Sequence, residues 1–250
     1  MTKSQINKLG EKLRKAFELD TETLLRLQQV RASYDEPMLG AQTLLRELGF
    51  EATSRLKTTN TIIEKLRRER TRLAEMQDIG GLRIVSDVDL IKQDEIVKKI
   101  VDAIPITRVI DRRTRPTHGY RAVHVIAMLD ERLIEIQVRT QLQDLWAQAM
   151  ERLADEAGRE IRYGGAPQKR GEDVENLLKI SHEIAEIEVV LTKLNQMETG
   201  LPQPRRAPSM QRKWRWHIAQ IQSLRANLRG REREIRAMLA ALIMRGGAPK

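Results

Sequence analysis

The sequence predicts an α+β protein in which a small mixed β-sheet has helices before, across and after it. Three observations favour this class. Helical apolar periodicity covers residues 3–50, short β-branched runs are confined to residues 82–140, and helical periodicity returns from 171 to about 244. Because the strands are few and lie together in the middle of the chain, one sheet flanked by helices is expected.

The first fifty residues are predicted to form three helices. Asp20 is a plausible N-cap for the second, and the third, from Met38 to Leu48, ends at Gly49, which suits a C-cap. The apolar positions expected to face the core of the first two helices are Leu9, Leu13, Ala16, Phe17, Leu24, Leu25, Leu27 and Val30. A fourth helix with a dense basic surface is predicted over residues 60–76.

The β-rich middle begins at Leu82 with the run LRIVS. A helix over 89–103 and a strand around 106–110 follow, and then HGYRAVHVIAML and RLIEIQVRT are predicted as two strands. Asp130 and Glu131 lie between these two runs as a hairpin turn. Residues 140–157 are predicted to be helical again.

From residue 171 onward the pattern is helical, with a helix over 172–198, a Pro-rich break at 201–208 and a long basic helix to about 244. The predicted division is an N-terminal helical segment (1–50), a core (51–165) and a C-terminal helical extension (166–250) that is basic from about 205. Leu224, Leu228, Ile235, Leu239 and Leu242 form an apolar stripe on the last helix, which also allows a packing role.

Composition excludes several classes of protein. The 250 residues include no cysteine, which rules out disulfides, thiol nucleophiles and Cys-ligated metals and fits a reducing compartment. No apolar run approaches a membrane span and no signal-peptide core is present, so a cytoplasmic protein without a membrane partner is expected. Residues 201–250 hold 12 Lys and Arg but 2 Asp and Glu, whereas residues 1–200 hold 33 of each sign. A neutral body with a basic tail favours a polyanionic partner, nucleic acid first.

Two groups of residues suggest phosphate chemistry. Arg55, Lys57 and Lys65 put three cations near a helix start, which suits a triphosphate, although a solvated basic face is the alternative. Asp78 precedes two glycines at the mouth of a strand, which is a credible place for an Mg²⁺ ligand or, alternatively, for a turn cap. Arg83 follows on the strand and can stack on a base or bind phosphate.

Polar side chains also cluster on the later strands. Glu135, Gln137 and Arg139 alternate with aliphatic residues, so all three are expected on one face of the strand, where Glu135 can ligate metal or take a proton. Tyr120 lies among arginines and is a candidate platform for a base, with packing at a strand start as the alternative. His124 is four residues further along a chain predicted to be extended, and so is expected to share the face of Tyr120.

Together these motifs resemble the synthetase domain of the RelA/SpoT family. Arg55-x-Lys57 with Lys65, QDIGGLRI, HGYRAVH and EIQVRT with Trp146 soon after occur in the family's order over roughly residues 50–165. The resemblance implies a stand-alone small alarmone synthetase that transfers the β,γ-pyrophosphate of ATP to a ribose 3′-hydroxyl, with Mg²⁺ as cofactor and AMP leaving. GDP or GTP would be the default acceptor, giving (p)ppGpp-type alarmones in a stringent response.

The resemblance also implies a role for each matched residue. Arg55 and Arg83 would sandwich the adenine of ATP, and Lys57 and Lys65 would hold its phosphates. Asp78 and Glu135 would be catalytic and bind Mg²⁺, with Glu135 also helping to deprotonate the attacking hydroxyl. On the acceptor side Tyr120 would stack on the base, His124 and Gln137 would line the pocket, and Arg115 would bind phosphate.

Two departures from the family leave the acceptor open. An Asn and a Glu-His pair that follow the EIQVRT strand in small synthetases are replaced here by Asp144 and Met150-Glu151. The basic tail makes the 3′-terminal adenosine of tRNA an alternative acceptor, as in a toxic subgroup paired with neutralising antitoxins. In that case Arg212, Lys213 and Arg215, next to two tryptophans, are the candidates for RNA binding. A non-catalytic RNA-binding regulator of the same fold is the second alternative, and a homo-oligomer is compatible with all three.

Overall fold

The computed structural model describes residues 1–200 and 208–244. Within these ranges the helices are α1 (Lys3–Lys15), α2 (Thr21–Ala32), α3 (Asp35–Glu47), α4 (Thr59–Glu69), α5 (Leu90–Ala103), α6 (Gln141–Ala157), α7 (Gly171–Gly200) and α8 (Pro208–Met244). The strands are β1 (Thr53–Leu56), β2 (Gly80–Ser86), β3 (Ile106–Asp111), β4 (Val123–Leu129) and β5 (Arg132–Thr140). The predicted Pro-rich break, apart from the proline that begins α8, lies outside the described residues.

The five strands form one sheet in the order β1-β2-β5-β4-β3. The pairs β1–β2, β3–β4 and β4–β5 are antiparallel. Asp130 and Glu131 connect β4 to β5 with positive φ angles of 44° and 61°. This conformation is the one that a two-residue hairpin loop needs to match strand twist. The predicted α+β class and the predicted hairpin are therefore confirmed.

The chain forms two compact units, each built from discontinuous segments. The first contains Met1–Val85, Glu95–Asp111 and Val123–Val138, so it holds α1–α4 and nearly all of the sheet. The second contains Ser86–Asp94, Arg112–Ala122 and the chain from Arg139 onward, so it holds α6–α8. The predicted division into 1–50, 51–165 and 166–250 stays a prediction.

The N-terminal helices begin at the polar caps that their sequences contain. Asp20 caps α2 by accepting a hydrogen bond from the backbone N–H of Thr23, as predicted. Two predicted core positions are wrong. Phe17 is fully exposed because α1 ends at Lys15, and Leu25 is 53% exposed because α2 buries a stripe that does not include it. The helix α3 begins at Asp35, three residues earlier than predicted.

The segment around residues 51–76 differs from the prediction in two ways. The predicted helix 60–76 ends at Glu69, because Arg70 has a left-handed backbone (φ 50°), and only a 3₁₀ turn at Leu73–Glu75 follows. The strand β1 was not predicted, and it is an edge strand of only four residues. A strand this short has too few positions for its alternation to stand out in the sequence.

The second unit has its core where α6, α7 and α8 pack together. Trp146 lies at its centre and donates a hydrogen bond from Nε1 to the carbonyl of Leu177 at 2.6 Å. Most of the predicted apolar stripe of α8 faces this core, with Ile235 and Leu239 fully buried and Leu224 45% exposed. Across both described ranges, none of the helices carries an apolar stretch suited to crossing a bilayer.

Candidate active site

The first part of the site, in the first unit, is a carboxylate held by two lysines. Asp78 lies two residues before β2, and its Oδ2 accepts hydrogen bonds from Nζ of Lys57 at 2.9 Å and from Nζ of Lys65 at 2.8 Å. All three side chains are largely buried. Burial alone would raise the pKa of Asp78, but the two ammonium groups outweigh it and lower that pKa below its ordinary value. Asp78 is therefore an ionised carboxylate at neutral pH.

Local structure explains how the two lysines reach the same oxygen. Lys57 directly follows β1, and its backbone N–H donates to the carbonyl of Ile79 at 2.8 Å, which fixes it beside the start of β2. Lys65 lies in the middle of α4, whose first turn is capped by the Thr58 side chain. The prediction that Lys57 and Lys65 act together is supported by this contact, but Arg55 lies on β1 and not at the helix start.

The second part of the site is Glu135 on β5, which accepts hydrogen bonds from two neighbours. His124 Nδ1 lies 2.8 Å from Glu135 Oε1, and Gln137 Nε2 donates to Oε2 at 2.7 Å. Burial alone would raise the pKa of Glu135, but the hydrogen bonds from His124 and Gln137 lower it overall. The predicted alternation is thus confirmed for Glu135 and Gln137, which point to the same face of the strand.

The two carboxylates act on each other electrostatically. The negative charge of Asp78 works to raise the pKa of Glu135, and the charge of Glu135 works to raise the pKa of Lys65. The cluster therefore holds two anions and two ammonium groups in a largely buried space. A positive charge that enters it relieves the repulsion between the carboxylates.

The donor set fits Mg²⁺ shared with substrate phosphates. Asp78 Oδ1 is buried and accepts no hydrogen bond from the residues that the structure describes. Those same residues contain no cluster of three or more His, Asp or Glu side chains placed to hold a metal. Mg²⁺ is commonly bound by one or two carboxylates, with phosphate and water oxygens completing its shell. Asp78 and Glu135 are the residues that would hold such an ion.

Arg55 and Arg83 lie on the same face of the β1–β2 pair. The register places Arg55 opposite Gly81 and Thr53 opposite Arg83, so the two arginines are diagonal neighbours. Diagonal neighbours on one face lie within reach of long side chains. The arrangement suits the predicted sandwich of a base between two guanidinium groups.

The Gly-Gly pair at the start of β2 has two different environments. A Cβ on Gly80 would lie 2.8 Å from Met38 Sδ and 2.8 Å from Tyr34 Cδ1, so the core of the first unit leaves no room for it. A Cβ on Gly81 would meet the carbonyl of Glu135 at 3.6 Å, which is ordinary contact. Gly80 is therefore required for packing beside the site, whereas Gly81 is not.

In the second unit, Tyr120 forms a cluster with Arg139. The Arg139 guanidinium carbon lies 5.0 Å from the centre of the Tyr120 ring, and Nη2 donates to the Tyr120 hydroxyl at 2.9 Å. Arg139 Nη1 also donates to Asp144 at 2.9 Å, and Asp144 accepts from Gln148 at 2.6 Å. Tyr120 additionally packs against the helical core, so its predicted structural role is present.

The predicted shared face of Tyr120 and His124 stays a prediction. The strand β4 begins only at Val123, and His118 and Gly119 before it have positive φ angles of 50° and 82°. This turn comes before both residues and lies between Thr117 and Tyr120, so it does not interrupt the chain between Tyr120 and His124. Tyr120 contacts Arg139, whereas His124 contacts Glu135. Arg115, the predicted phosphate ligand, lies exposed in the same turn region.

A buried carboxylate in the second unit was missed by the sequence analysis. Glu188 of α7 accepts hydrogen bonds from the Thr140 hydroxyl and, at 3.0 Å, from Gln143 Nε2. Burial raises its pKa above the ordinary value. Gln143 in turn accepts from Gln93 at 2.9 Å, and Gln93 accepts from Arg113 at 3.2 Å. A single Glu within the apolar stripe of α7 is the only sequence signal for this network.

The candidates for RNA binding lie near the beginning of α8. Arg212, Lys213 and Arg215 are all exposed, as is the neighbouring Trp216. The carbonyl of Lys213 lies 2.8 Å from His217 Nδ1, one turn further along the same helix.

The fold and the site define an α+β protein in which two buried carboxylates and two lysines lie at one five-stranded sheet. Residues 54–154 match the profile of the region found in RelA / SpoT proteins. This part of the chain is therefore a RelA/SpoT-type domain. It contains the candidate residues from Arg55 to Arg139.

Curated relatives and solved structures also resemble the chain. Proteins of Mycobacterium tuberculosis and Mycobacterium bovis, named only as uncharacterized proteins, are 43% identical over 120 residues. The match covers 47% of this chain and 44% of each relative, so it spans less than half the length of these proteins.

Among solved structures, small alarmone synthetase 1 from Bacillus subtilis bound to its product pppGpp is 24% identical, with a TM-score of 0.49 and coverage of 68% of this chain and 93% of that one. A GTP pyrophosphokinase family protein from Streptococcus pneumoniae is 25% identical, with a TM-score of 0.49 and coverage of 74% and 100%.

Proposed function

We propose that this protein is an ATP-dependent pyrophosphokinase that transfers the β,γ-pyrophosphate of ATP to a ribose 3′-hydroxyl of a nucleotide acceptor. The observation that carries the proposal is the buried cluster in which Lys57 and Lys65 share the carboxylate of Asp78 beside Glu135. Phosphoryl-type transfer depends mainly on positioning and on neutralising charge, and this cluster supplies cations and carboxylates for both. The RelA/SpoT-type match of residues 54–154 supports the same reaction class.

The donor side is assigned to four cations of the first unit. Arg55 and Arg83 hold the adenine between their guanidinium groups, and Lys57 and Lys65 bind the phosphates of ATP. In the resting protein both lysines are engaged with Asp78, so ATP binding exchanges these contacts for phosphate contacts. When bound at Asp78 and Glu135, Mg²⁺ would neutralise charge on the transferring phosphates.

The chemistry is assigned to Glu135. The acceptor 3′-hydroxyl oxygen forms a bond to the β-phosphorus while the bond from that phosphorus to the bridging oxygen of the α-phosphate breaks, and AMP leaves with the electron pair. Glu135 takes the proton of the hydroxyl, and its lowered pKa keeps it ionised and ready to do so. His124 and Gln137 hold the carboxylate in place through their hydrogen bonds.

The acceptor is assigned by default to GDP or GTP, with alarmone products. In this proposal Tyr120 stacks on the acceptor base, Arg115 binds its phosphate, and His124 and Gln137 line its pocket. The charge of the C-terminal region favours a second candidate, the 3′-terminal adenosine of tRNA, which would make the protein a translation inhibitor and call for a neutralising antitoxin. A non-catalytic regulator is the less favoured alternative, since a protein without catalytic activity has no chemical need for the buried carboxylates of both Asp78 and Glu135.

The test is a transfer assay with purified protein, Mg²⁺ and ATP labelled on the γ-phosphate. Separate reactions contain GDP, GTP, ATP or deacylated tRNA, and the position of the label is followed by chromatography. Label on a guanine nucleotide supports alarmone synthesis, and label on tRNA supports the second candidate. Absence of transfer to all four acceptors contradicts the proposed reaction.

A matched pair of variants keeps the assay specific. Glu135→Gln retains the shape of the side chain and one acceptor oxygen but cannot take a proton, so transfer is expected to fall by roughly 100-fold or more. Glu131→Gln, in the exposed hairpin turn before the same strand, removes the same charge and is expected to leave transfer unchanged. Undiminished transfer in Glu135→Gln contradicts the assignment of the base.

The acceptor platform is tested by Tyr120→Ala and Tyr120→Phe. Stacking on an aromatic ring contributes about 1–3 kcal/mol per base, so Tyr120→Ala is expected to raise the KM for the acceptor roughly ten-fold or more. Tyr120→Phe keeps the ring and loses the hydroxyl that accepts from Arg139, so its KM is expected to stay close to that of the native protein. An equal KM in both variants and the native protein would mean that Tyr120 only packs.

A further inference from the structure

The positive charges of α8 fall into two groups with different surroundings. From Arg225 to Arg236, most of the cations are neutralised by carboxylates of the second unit. Arg225 pairs with Glu198 at 2.6 Å, Arg229 with Glu232 at 2.7 Å, and Arg236 with Glu232 at 2.6 Å. Arg231 pairs with Glu183 and Glu234. These cations are therefore engaged in ion pairs within the second unit.

The cations near the start of the helix are different. Arg212, Lys213 and Arg215 are exposed, and none of them has an acidic partner within 4 Å among residues 1–200 and 208–244. Trp216 lies next to them with 59% of its surface exposed, its ring edge-to-face with that of His217 at 5.0 Å. We call Arg212, Lys213, Arg215 and Trp216 the basic-aromatic patch.

The helical period separates this patch from the packing side of α8. Ile221 is buried, and Trp214 and Ile218 are half-buried, which defines the side that faces the protein. At about 100° per residue, Arg212 and Trp216 lie on the opposite side, and Arg215 and Lys213 lie on its two flanks. The Trp216 side chain is therefore not part of the packing side of α8. It projects from the outer side of the helix together with unpaired cations.

We propose that the basic-aromatic patch binds single-stranded RNA. Cations neutralise phosphates, and an exposed indole stacks on a base, which is the combination that single-stranded nucleic acid requires. A convex helix surface can reach only bases that are already unstacked, and RNA presents such bases in loops, bulges and ends.

Two other anionic partners fit the patch less well. A membrane surface requires a broad apolar face, but the outer side of α8 continues with Ala219, Gln220 and Ser223, all exposed and small or polar. An acidic protein would pair with the cations but has no need of an exposed indole between them. The patch needs neither ATP nor Glu135, so this inference holds independently of the proposed pyrophosphate transfer.

The test measures binding of a fluorescein-labelled single-stranded RNA of twelve nucleotides to the full chain, without ATP, by fluorescence anisotropy. Replacing Arg212, Lys213 and Arg215 together by Gln is expected to weaken binding roughly ten-fold or more at moderate salt, and to reduce the slope of log Kd against log salt by about 2. The matched control replaces Lys3, Lys8 and Lys15 of α1 by Gln, which removes the same charge elsewhere and is expected to leave Kd unchanged. Equal weakening by both triple variants would overturn the proposal, because binding would then follow net charge alone.

Stacking is tested separately at Trp216. Trp216→Ala is expected to weaken RNA binding roughly five-fold or more, and Trp216→Tyr to restore most of it, because a tyrosine ring also stacks. Since Trp216 is exposed, thermal unfolding of both variants is expected to match that of the native protein. Identical affinity of Trp216→Ala and the native protein would overturn the role of the indole.

Two further probes decide what the patch binds. The corresponding double-stranded RNA, whose bases are already stacked, is expected to bind at least ten-fold more weakly than the single-stranded RNA. Vesicles containing phosphatidylserine are expected not to bind. Equal affinity for the duplex, binding to the vesicles in place of RNA, or no binding of RNA by the native protein would each overturn the proposal.

Discussion

His124 Nδ1 lies 2.8 Å from Glu135 Oε1 across the pairing of β4 and β5. The register places His124 opposite Gln137 and Glu135 opposite Ile126, so the contact runs diagonally over one face of the sheet. Because both side chains are almost fully buried, this contact and the one from Gln137 decide where the carboxylate points. His124 is therefore a positioning residue for Glu135 in the proposed reaction.

This relationship predicts the effect of changing His124. A hydrogen bond to a charged group contributes about 1.5–3 kcal/mol, so His124→Ala is expected to lower kcat roughly 10- to 100-fold. The KM for ATP is expected to change little, because His124 lies outside the donor cations. His124→Asn can still donate and is expected to recover part of the loss. Steady-state kinetics with His182→Ala as control, an exposed histidine of α7, checks this; equal kcat in the two alanine variants would contradict it.

A second prediction concerns the coupling of Lys65 to Asp78. Lys65→Met leaves Asp78 with one ammonium partner in a buried site, and the free energy of unfolding is expected to fall by about 2–4 kcal/mol. In the double variant Lys65→Met/Asp78→Asn the charge that needs compensation is gone, so the loss is expected to be smaller than the sum of the single losses. Urea unfolding of the four proteins measures the difference. Additive losses would contradict a direct interaction.

Gly80 and Gly81 offer a matched pair for testing packing beside the site. Gly80→Ala is expected to lower the free energy of unfolding by about 1–3 kcal/mol, since its methyl group would collide with Met38 and Tyr34. Gly81→Ala meets only ordinary contacts and is expected to change stability by less than about 0.5 kcal/mol. Thermal or urea unfolding of both variants checks the contrast, and similar losses in both would contradict it.

The raised pKa of Tyr34 predicts how the free energy of unfolding changes at alkaline pH. Burial raises the pKa of Tyr34 to about 12 from an ordinary value of 10.0. The unfolded chain therefore loses this proton first, and stability should fall as pH rises from 10 to 12 and change no further from this group above 12. The contribution is roughly 1–3 kcal/mol, obtained by comparing the native protein with Tyr34→Phe. Parallel pH profiles of the two proteins would contradict this prediction.

Local patterns predicted most of the secondary structure. Strand β5 has the predicted bounds, because alternation over nine residues and a two-residue turn before it are both strong local signals. Strand β1 and the early end of α4 were missed, since a four-residue edge strand and a left-handed Arg70 leave little trace in periodicity. Phe17 and Leu25 were predicted to be buried but are exposed, because the apolar character of a residue does not determine whether its side of the helix packs on the core.

The candidate site was predicted in its residues but only partly in its contacts. The types and spacing of Asp78, Glu135, Lys57 and Lys65 indicated phosphate and metal chemistry. The contacts of Tyr120 with Arg139 and of His124 with Glu135 were not predicted, because each joins residues that come from different segments of the chain.

The sequence by itself determined the class of fold, the hairpin, and the set of charged residues available for chemistry, because periodicity, caps and turns are local properties. Only the tertiary structure decided that two lysines share one carboxylate and that Glu188 is buried under α6. It also decided which cations of α8 are neutralised by the fold and which remain on its outer side. These relations join residues that are far apart in the chain, and their energies depend on distance and burial, which arise only when the elements pack together.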